Sequence, residues 1–345
     1  SICRARVPGW SALPPQSIVV DRLREGLSNQ NFKVQAPLAA SVPCVLFRAY
    51  GKDAGTLYDT QLELRIFNML SGYQIAPRLH ESGGGWRIEE WHSSTPLQNR
   101  RMRNPSIFVQ VAAQLARLHK LSRRHDFPRE VREMPPLSAA RLSRWGDACV
   151  RTAASLEDAG SAHRVSAAHL DEMLAERSWL SRFLVENDPE ARGSGLDVVF
   201  SHWDTQENNI LQTPYGLRLI DFEYSGMEHQ AFDIATYFVE CTIDYLQGAP
   251  PYYRLRPLSF PTESEQRLFC SIYLSEYLES TVQPHDAAVS TIVERVGRFT
   301  LASHLLWALW SVIRGGQGPA GGFDYAHYAQ SRLLLYRSAK RALLR

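Results

Sequence analysis

From residue 198 the chain runs Val198-Val199-Phe200-Ser201-His202-Trp203-Asp204-Thr205-Gln206-Glu207-Asn208-Asn209-Ile210-Leu211, and then Leu217-Arg218-Leu219-Ile220-Asp221-Phe222-Glu223-Tyr224. No other stretch constrains the fold as strongly. Two apolar, β-prone runs enclose a polar loop, and the turn Thr213-Pro214-Tyr215-Gly216 reverses the chain between them. An apolar strand must therefore deliver His202 and Asp204 into a loop, and a two-stranded excursion must return Asp221 beside them. The chain around this feature has 345 residues and is 44% hydrophobic, enough to bury a large core as one domain or two lobes.

Ahead of the loop, β-prone runs from Ile18 to Leu23 and from Asn31 to Gln35 flank Arg24-Glu25-Gly26-Leu27-Ser28-Asn29 and predict a hairpin. A third strand is expected over Cys44 to Tyr50. Leu57, Leu62, Ile66, Phe67 and Leu70 then predict one amphipathic helix over Thr56 to Leu70. Ile75 to His80 and Trp86 to Trp91, separated by Gly83-Gly84-Gly85, predict a second hairpin. These elements make a compact α+β lobe over residues 1–91, and residues 92–345 read as a second, mostly helical lobe. There Ile107, Val111, Leu115 and Leu118 place a helix over Pro105 to Lys120, ending on a packed, structural His119. Residues 122–195 are rich in Arg, Ser and Ala, with helical pieces over Ser138 to Leu156 and Ser166 to Glu186, and are read as scaffold. Gly315 to Gly322 is expected to be a loop between two C-terminal helices.

Composition removes several function classes. Lys plus Arg (38) nearly balances Asp plus Glu (36), so the one-sided basic field of a nucleic-acid binder is missing and no nucleic-acid partner is expected. The cysteines are Cys3, Cys44, Cys149, Cys241 and Cys270, odd in number, far apart and without C-x-x-C spacing. They predict neither a disulfide framework nor a zinc site, and a reducing, cytoplasmic setting fits them. The longest apolar stretch, Phe299 to Ile313, is too short to span a bilayer, so no transmembrane segment is expected, and no signal peptide is read. A homodimer is left open.

The loop carries the chemistry. Asn209 lies five residues after Asp204, the spacing of a kinase catalytic loop. Phosphoryl transfer needs metal ligands on the phosphates and a carboxylate near the acceptor hydroxyl. Asp204 is placed for the second task, and Asn209 and Asp221 for the first. A lone Asp or Asn in a loop is usually a turn or helix cap. Three at these spacings, framed by apolar strands, favour chemistry. His202 is read as a backbone brace.

Residues Ser201 to Glu240 resemble the choline/ethanolamine kinase family, whose signature reads H-x-D-x-x-x-x-N, then I-D-[FY]-E-Y, then F-D-I. The chain carries His202-Trp203-Asp204, Asn209, Ile220-Asp221-Phe222-Glu223-Tyr224 and Phe232-Asp233-Ile234. The resemblance runs from about Leu23 to the C-terminus. It implies a bilobal protein kinase-like fold of α+β class, with a small β-rich N-terminal lobe and a large helical C-terminal lobe. It also implies ATP and Mg2+ as cofactors. By the resemblance Asp204 is the catalytic base, Gln206 and Asn209 lie near nucleotide and metal, Asp221 with Glu223 holds magnesium, and Asp233 braces the lobe from inside. Arg24, Gly26, Leu27, Ser28 and Asn29 are similar to the family's phosphate-covering loop. Arg48, in Leu46-Phe47-Arg48-Ala49-Tyr50-Gly51, resembles an arginine that contacts phosphates, with Glu63 its expected ion-pair partner. Arg87-Ile88-Glu89-Glu90-Trp91 resembles the hinge under adenine, with backbone groups from Glu90 and Trp91 binding.

The acceptor follows from the aromatic content of the C-terminal half. A quaternary ammonium has no N–H to donate, so ring faces and a carboxylate must hold it, at about 2 kcal/mol for each desolvated ring. Glu240, Tyr245, Trp307, Trp310, Tyr325 and Tyr328 are available. By pattern alone, Trp and Tyr at helical spacing are ordinary core. By the resemblance, Glu240, Tyr245, Trp307, Trp310 and Tyr328 match positions lining the family's choline pocket. An ATP:choline phosphotransferase is therefore expected, making phosphocholine for the CDP-choline route of phospholipid biosynthesis. An ethanolamine or dual kinase is the first alternative. An aminoglycoside phosphotransferase shares the loop but needs an open acidic pocket. A protein kinase is disfavoured because Asp221-Phe222-Glu223 lacks the glycine of D-F-G and no A-P-E follows. A pseudokinase scaffold is disfavoured because Asp204, Asn209 and Asp221 are all intact.

Overall fold

The computed structural model describes residues 2–23, 29–51, 54–158, 165–186, 198–245, 247–316 and 322–345. In chain order the elements begin with α1 (Ile2–Arg6), β1 (Val19–Arg22), β2 (Gln30–Gln35), β3 (Cys44–Ala49), α2 (Ala54–Leu57), α3 (Thr60–Gly72), β4 (Leu79–Gly83), β5 (Trp86–Glu90) and β6 (Thr95–Pro96). There follow α4 (Pro105–Lys120), α5 (Arg129–Arg132), α6 (Leu137–Asp158), α7 (Ala167–Glu186), β7 (Val198–Ser201), β8 (Ile210–Thr213), β9 (Gly216–Leu219) and β10 (Gly226–His229). The chain ends with α8 (Gln230–Glu240), β11 (Ile243–Asp244), β12 (Arg254–Leu255), α9 (Glu263–Leu278), α10 (Ala287–Gly315) and α11 (Tyr325–Leu343). Two units form: Ser1–Thr95 with Thr213–Glu223, and Pro96–Gln212 with Tyr224–Arg345.

In the first unit, five strands pair antiparallel in the order β1-β2-β3-β5-β4. One sheet face packs Val34, Val45 and Ile88 against Cys3, Val7 and Trp10. The helix expected over Thr56 to Leu70 is two pieces, α2 and α3. The Asp59 carboxylate accepts from the backbone N–H groups of Gln61 and Leu62 and starts α3 afresh. An N-cap aspartate satisfies donors that a continuous helix would not expose, so the break is built in. From α3, Glu63, Ile66, Phe67 and Leu70 are buried.

The β3–β5 register sets Arg48 directly opposite Arg87. Like charges facing each other across strands repel, so an anion must lie between them. Glu89 supplies it, accepting from Arg87 Nε at 2.6 Å and Arg48 Nε at 3.0 Å. Glu63 then pairs with Arg87, not with Arg48 as the sequence predicts. Arg48 instead takes Asp221 at 2.9 Å, and the Arg87 guanidinium lies 4.0 Å from the Phe67 ring centroid.

The second unit is built around α10. This helix packs on α6, α7, α8, α9 and α11, and α8 beside it is buried along its whole length. Its 29 residues extend well beyond the Phe299–Ile313 run. By length and composition α10 is long and apolar enough to cross a membrane, whereas the shorter run is not; here most of it is buried inside the unit. Asn104 caps α4, which has Pro105 at its first turn, and Thr262 with Glu265 closes a capping box on α9. Helices α6 and α7 lie close to where the sequence places them. Strands β7 and β10 pair antiparallel, Ser201 opposite Gly226, and carry the chain into and out of the loop described below.

Arg87 is fully buried between two carboxylates. Replacing it by Met strands negative charge in the core, which costs about 3–5 kcal/mol. Urea unfolding of Arg87→Met should show a loss of that order; a change under about 1 kcal/mol would mean the network is solvated.

Candidate active site

Beyond β7 the backbone makes a turn that its sequence resists. Trp203 sits at φ 78°, in the left-handed region that bulky side chains avoid, at a strain of about 1–3 kcal/mol. Two groups of contacts hold it there. The Asp233 carboxylate, buried at the start of α8, accepts from the backbone N–H of His202 and of Trp203, each at 2.7 Å. His119 Nε2 lies 3.0 Å from the same carboxylate, and His119 Nδ1 is 2.7 Å from the Tyr273 hydroxyl. Burial opposes the Asp233 charge, yet the hydrogen bond from His119 and the nearby histidines hold its pKa below the usual range. The Trp203 ring meanwhile stacks on Phe232 at 4.3 Å and lies 4.0 Å from the Arg141 guanidinium carbon.

Past this turn Asp204 emerges half-buried. Its backbone N–H reaches His202 Nδ1 at 3.3 Å, so His202 braces the loop. Asn209 Nδ2 donates to the Asp204 carboxylate at 2.8 Å and to its carbonyl at 2.9 Å. One carboxylate is thus held on a strained turn by an amide whose own carbonyl oxygen is still an acceptor. Gln206 Oε1 caps the short 3-10 turn over Glu207–Asn209 by accepting from Asn208 N–H at 3.1 Å.

In the first unit, Asp221 also lies at positive φ, 66°, and gives one oxygen to Arg48 at 2.9 Å. Its neighbour Glu223 accepts from Asn29 Nδ2 at 2.6 Å, and Asn29 Oδ1 accepts from Gly51 N–H at 3.2 Å. The two carboxylates, both hard oxygen donors, suit a magnesium ion, which keeps several waters and takes few protein ligands. Among the described residues no group of three or more His, Cys, Asp or Glu side chains gathers to hold a metal. Arg24, Gly26, Leu27 and Ser28 lie outside the described residues. Glu90 ends β5 exposed, and Lys33 Nζ lies 5.0 Å from the Trp91 ring centroid.

The aromatic candidates in the second unit form one chain of contacts. Ring centroids run Trp307 to Trp310 at 5.5 Å, Trp310 to Tyr325 at 5.8 Å, Tyr325 to Phe323 at 5.0 Å, Phe323 to Tyr328 at 5.4 Å, and Tyr328 to Tyr245 at 6.1 Å. Trp307 also touches Trp145, Trp203 and Tyr224, so its other side belongs to the core. Glu240 ends α8 beneath this chain, nearly fully buried. Its Oε1 pairs with Arg332, and its Oε2 has no partner among the described residues.

Sequence reasoning missed four contributors. Arg332 binds Glu240 and donates from Nε to the Tyr328 hydroxyl at 2.9 Å. It stands four residues after Tyr328 on α11, a same-face spacing that was available as a signal. Tyr224 accepts from Trp310 Nε1 at 2.8 Å, and Phe323 bridges Tyr325 to Tyr328. Glu207, inside the loop motif, accepts from the Tyr245 backbone N–H at 2.6 Å and so ties the loop to the aromatic chain. A cavity of about 710 Å³ lined by Leu156, Val165, Leu170, Ser311 and Val312 contains none of these residues.

The family model for choline/ethanolamine kinase matches residues 20–337. A probable choline kinase 2 of Arabidopsis thaliana is 31% identical over 95% of this chain and 87% of its own length. A choline/ethanolamine kinase of Rattus norvegicus is 29% identical over 98% of this chain and 84% of its own. The crystal structure of a choline kinase from Cryptosporidium parvum superposes with a TM-score of 0.88 at 32% identity, covering 99% of this chain and 94% of that one. The fold is protein kinase-like.

Burial pushes the Glu207 carboxyl from 4.5 up to about 7, with Asp244 and Glu240 adding to the shift. The folded chain therefore binds this proton more tightly than the unfolded one, and the stability so gained is present below about 4.5 and lost as pH rises through about 7. Melting temperature should fall across that window in the wild type and fall less in Glu207→Gln. Parallel profiles for the two proteins would show that Glu207 does not titrate there.

Proposed function

This chain belongs to the choline/ethanolamine kinase family of phosphotransferases, and we propose that within it the chain is an ATP:choline phosphotransferase that makes phosphocholine, the first step of the CDP-choline route to phosphatidylcholine. The observation that carries the choice of acceptor is Glu240. A nearly buried carboxylate keeps one oxygen without a partner beneath a chain of aromatic rings, the chemistry that a desolvated cation needs. The same oxygen would accept an ammonium N–H, which favours a dual choline and ethanolamine enzyme as the second reading.

In this reading residues 1–91 hold the nucleotide and residues 92–345 hold the acceptor and carry out transfer. Arg24, Gly26, Leu27, Ser28 and Asn29 cover the phosphates, Arg48 contacts them, and backbone groups of Glu90 and Trp91 meet adenine. Asp221 and Glu223 would hold magnesium together with the carbonyl oxygen of Asn209, and Gln206 lies near the nucleotide. Bound magnesium would supply neutralisation of phosphate charge. Asp204 accepts the proton of the acceptor hydroxyl, and the Asn209 amide fixes which way its carboxylate points. Trp307, Trp310, Tyr245 and Tyr328 surround the cationic head, with Glu240 as counter-charge. The five free cysteines support a reducing, cytoplasmic setting.

Asp204→Asn should abolish turnover of choline while ATP affinity, read by calorimetry, stays near wild type. Residual turnover above about a tenth would remove the base from Asp204. Trp310→Ala or Tyr245→Ala should lower kcat/KM for choline about tenfold, roughly 1.4 kcal/mol, and for ethanolamine by less, because only the ammonium can fall back on hydrogen bonds. Equal losses with a falling melting temperature would make these rings ordinary core.

A further inference from the structure

Glu207 stands between Asp204 and Asn209 in the sequence, yet its side chain is fully buried. Burial of a carboxyl costs free energy unless contacts offset it. The charges that bear most on it belong to Asp244 and Glu240, both acidic and each already paired, with Arg256 and Arg332. The side chain does make a short hydrogen bond: Oε1 accepts from the Tyr245 backbone N–H at 2.6 Å, and the Asn99 backbone bears on the same carboxyl. That donor lies where the fold has little else to hold it. Strand β11 has two residues, pairs with the two of β12 in a sheet of its own, and Tyr245 follows directly. The chain leading there from α8 is tied down by single bonds. Asn99 Nδ2 donates to the Glu240 and Ile243 carbonyls, each at 2.9 Å, and the Arg256 N–H donates to the Thr242 carbonyl at 2.7 Å. Tyr245 itself is held at both ends, its N–H by Glu207 and its hydroxyl by Tyr328.

We propose that Glu207 is a positioning residue of the acceptor site: by accepting the Tyr245 backbone N–H from within the loop that carries Asp204 and Asn209, it holds the Tyr245 ring at a set distance from the Asp204 carboxylate. The inference deepens the acceptor reading above and rests on it. A small amino alcohol must present its hydroxyl to Asp204 while its cationic head rests against the rings, so the separation of the two is part of the catalytic geometry. A displacement of about 1 Å can cost ~100-fold in rate. The bond to Tyr245 needs an acceptor oxygen at the right reach and no charge. Glutamine keeps that oxygen and loses the charge, whereas aspartate keeps the charge and falls one carbon short.

The test combines steady-state kinetics of the full chain on choline with calorimetric titration by tetramethylammonium, which has the cationic head and no hydroxyl. Glu207→Gln should stay within about threefold of wild type in kcat/KM for choline, while Glu207→Asp and Glu207→Ala fall about tenfold or more and KM for ATP holds. Glu207→Asp near wild type with Glu207→Gln impaired would show that the charge acts, not the bond, and would overturn the proposal. This order decides the matter even where Glu207→Ala does not fold. Double variants separate positioning from general support of the fold. Glu207→Ala/Tyr245→Ala should be no more than about threefold worse than Tyr245→Ala, because the ring that Glu207 places is gone, whereas Glu207→Ala/Trp310→Ala should lose both factors, about a hundredfold. Losses that multiply in both pairs would overturn the proposal as well. Binding and turnover separate the two readings. Tetramethylammonium affinities that follow the expected order without phosphorylation of choline or ethanolamine would sustain the positioning role and remove the choline reading, whereas turnover of choline with all three single variants at the wild-type level would do the reverse.

Discussion

One carboxylate holds the loop that follows β7 in place. Asp233 spends both oxygens on consecutive backbone N–H groups, those of His202 and Trp203, while His119 reaches it from α4. Those two amides lie at a turn where Trp203 has left-handed backbone angles and no strand partner, so without the carboxylate they would be buried and unsatisfied. Strain of this kind persists only where the surroundings over-determine it. Here the Trp203 ring, wedged between Phe232 and Arg141, adds the second constraint. The direction in which Asp204 leaves the core is thus decided by Asp233, His119, Phe232 and Arg141.

Buried charge in both units is answered by ion pairs between carboxylates and guanidinium groups, shared in the first unit and single in the second. Glu89 serves Arg87 and Arg48, and Arg48 reaches on to Asp221. In the second unit Glu240 serves Arg332 and keeps one oxygen over. The contrast is instructive. Where two guanidinium groups converge on one carboxylate oxygen, the network is a brace, whereas a buried carboxylate oxygen without a partner among the described residues, as at Glu240, calls for an explanation.

Much of this was readable in advance because periodicity reports burial. The pairing of β1 with β2, the helices α4, α6 and α7, and the strand-loop-strand from Val198 follow from where apolar residues recur, whereas β4 runs over Leu79–Gly83 rather than the expected Ile75 to His80, with Gly83 inside the strand. The departures have a common cause. Partner choice depends on register, and register is not written in the local pattern: Arg48 and Arg87 face each other only because β3 and β5 pair as they do, and that moves Glu63 to Arg87. The break before α3 was signalled by Asp59, yet the apolar spacing across it concealed the cap. Arg332 went unread, because nothing local shows that the carboxylate 92 residues earlier is its partner.

The composition of the first unit bears on how such a chain can be made. Thr213–Glu223 belongs to it, although 117 residues of the second unit, Pro96–Gln212, are translated in between. When the ribosome has finished Thr95, Arg48 has Glu89 but not Asp221, and Asn29 has not yet met Glu223. The first unit therefore waits, with its charge network open, until more than half of the polypeptide exists. Domains commonly fold in their order of synthesis. This one cannot be completed that way, and no single cut in the gene would yield both units whole.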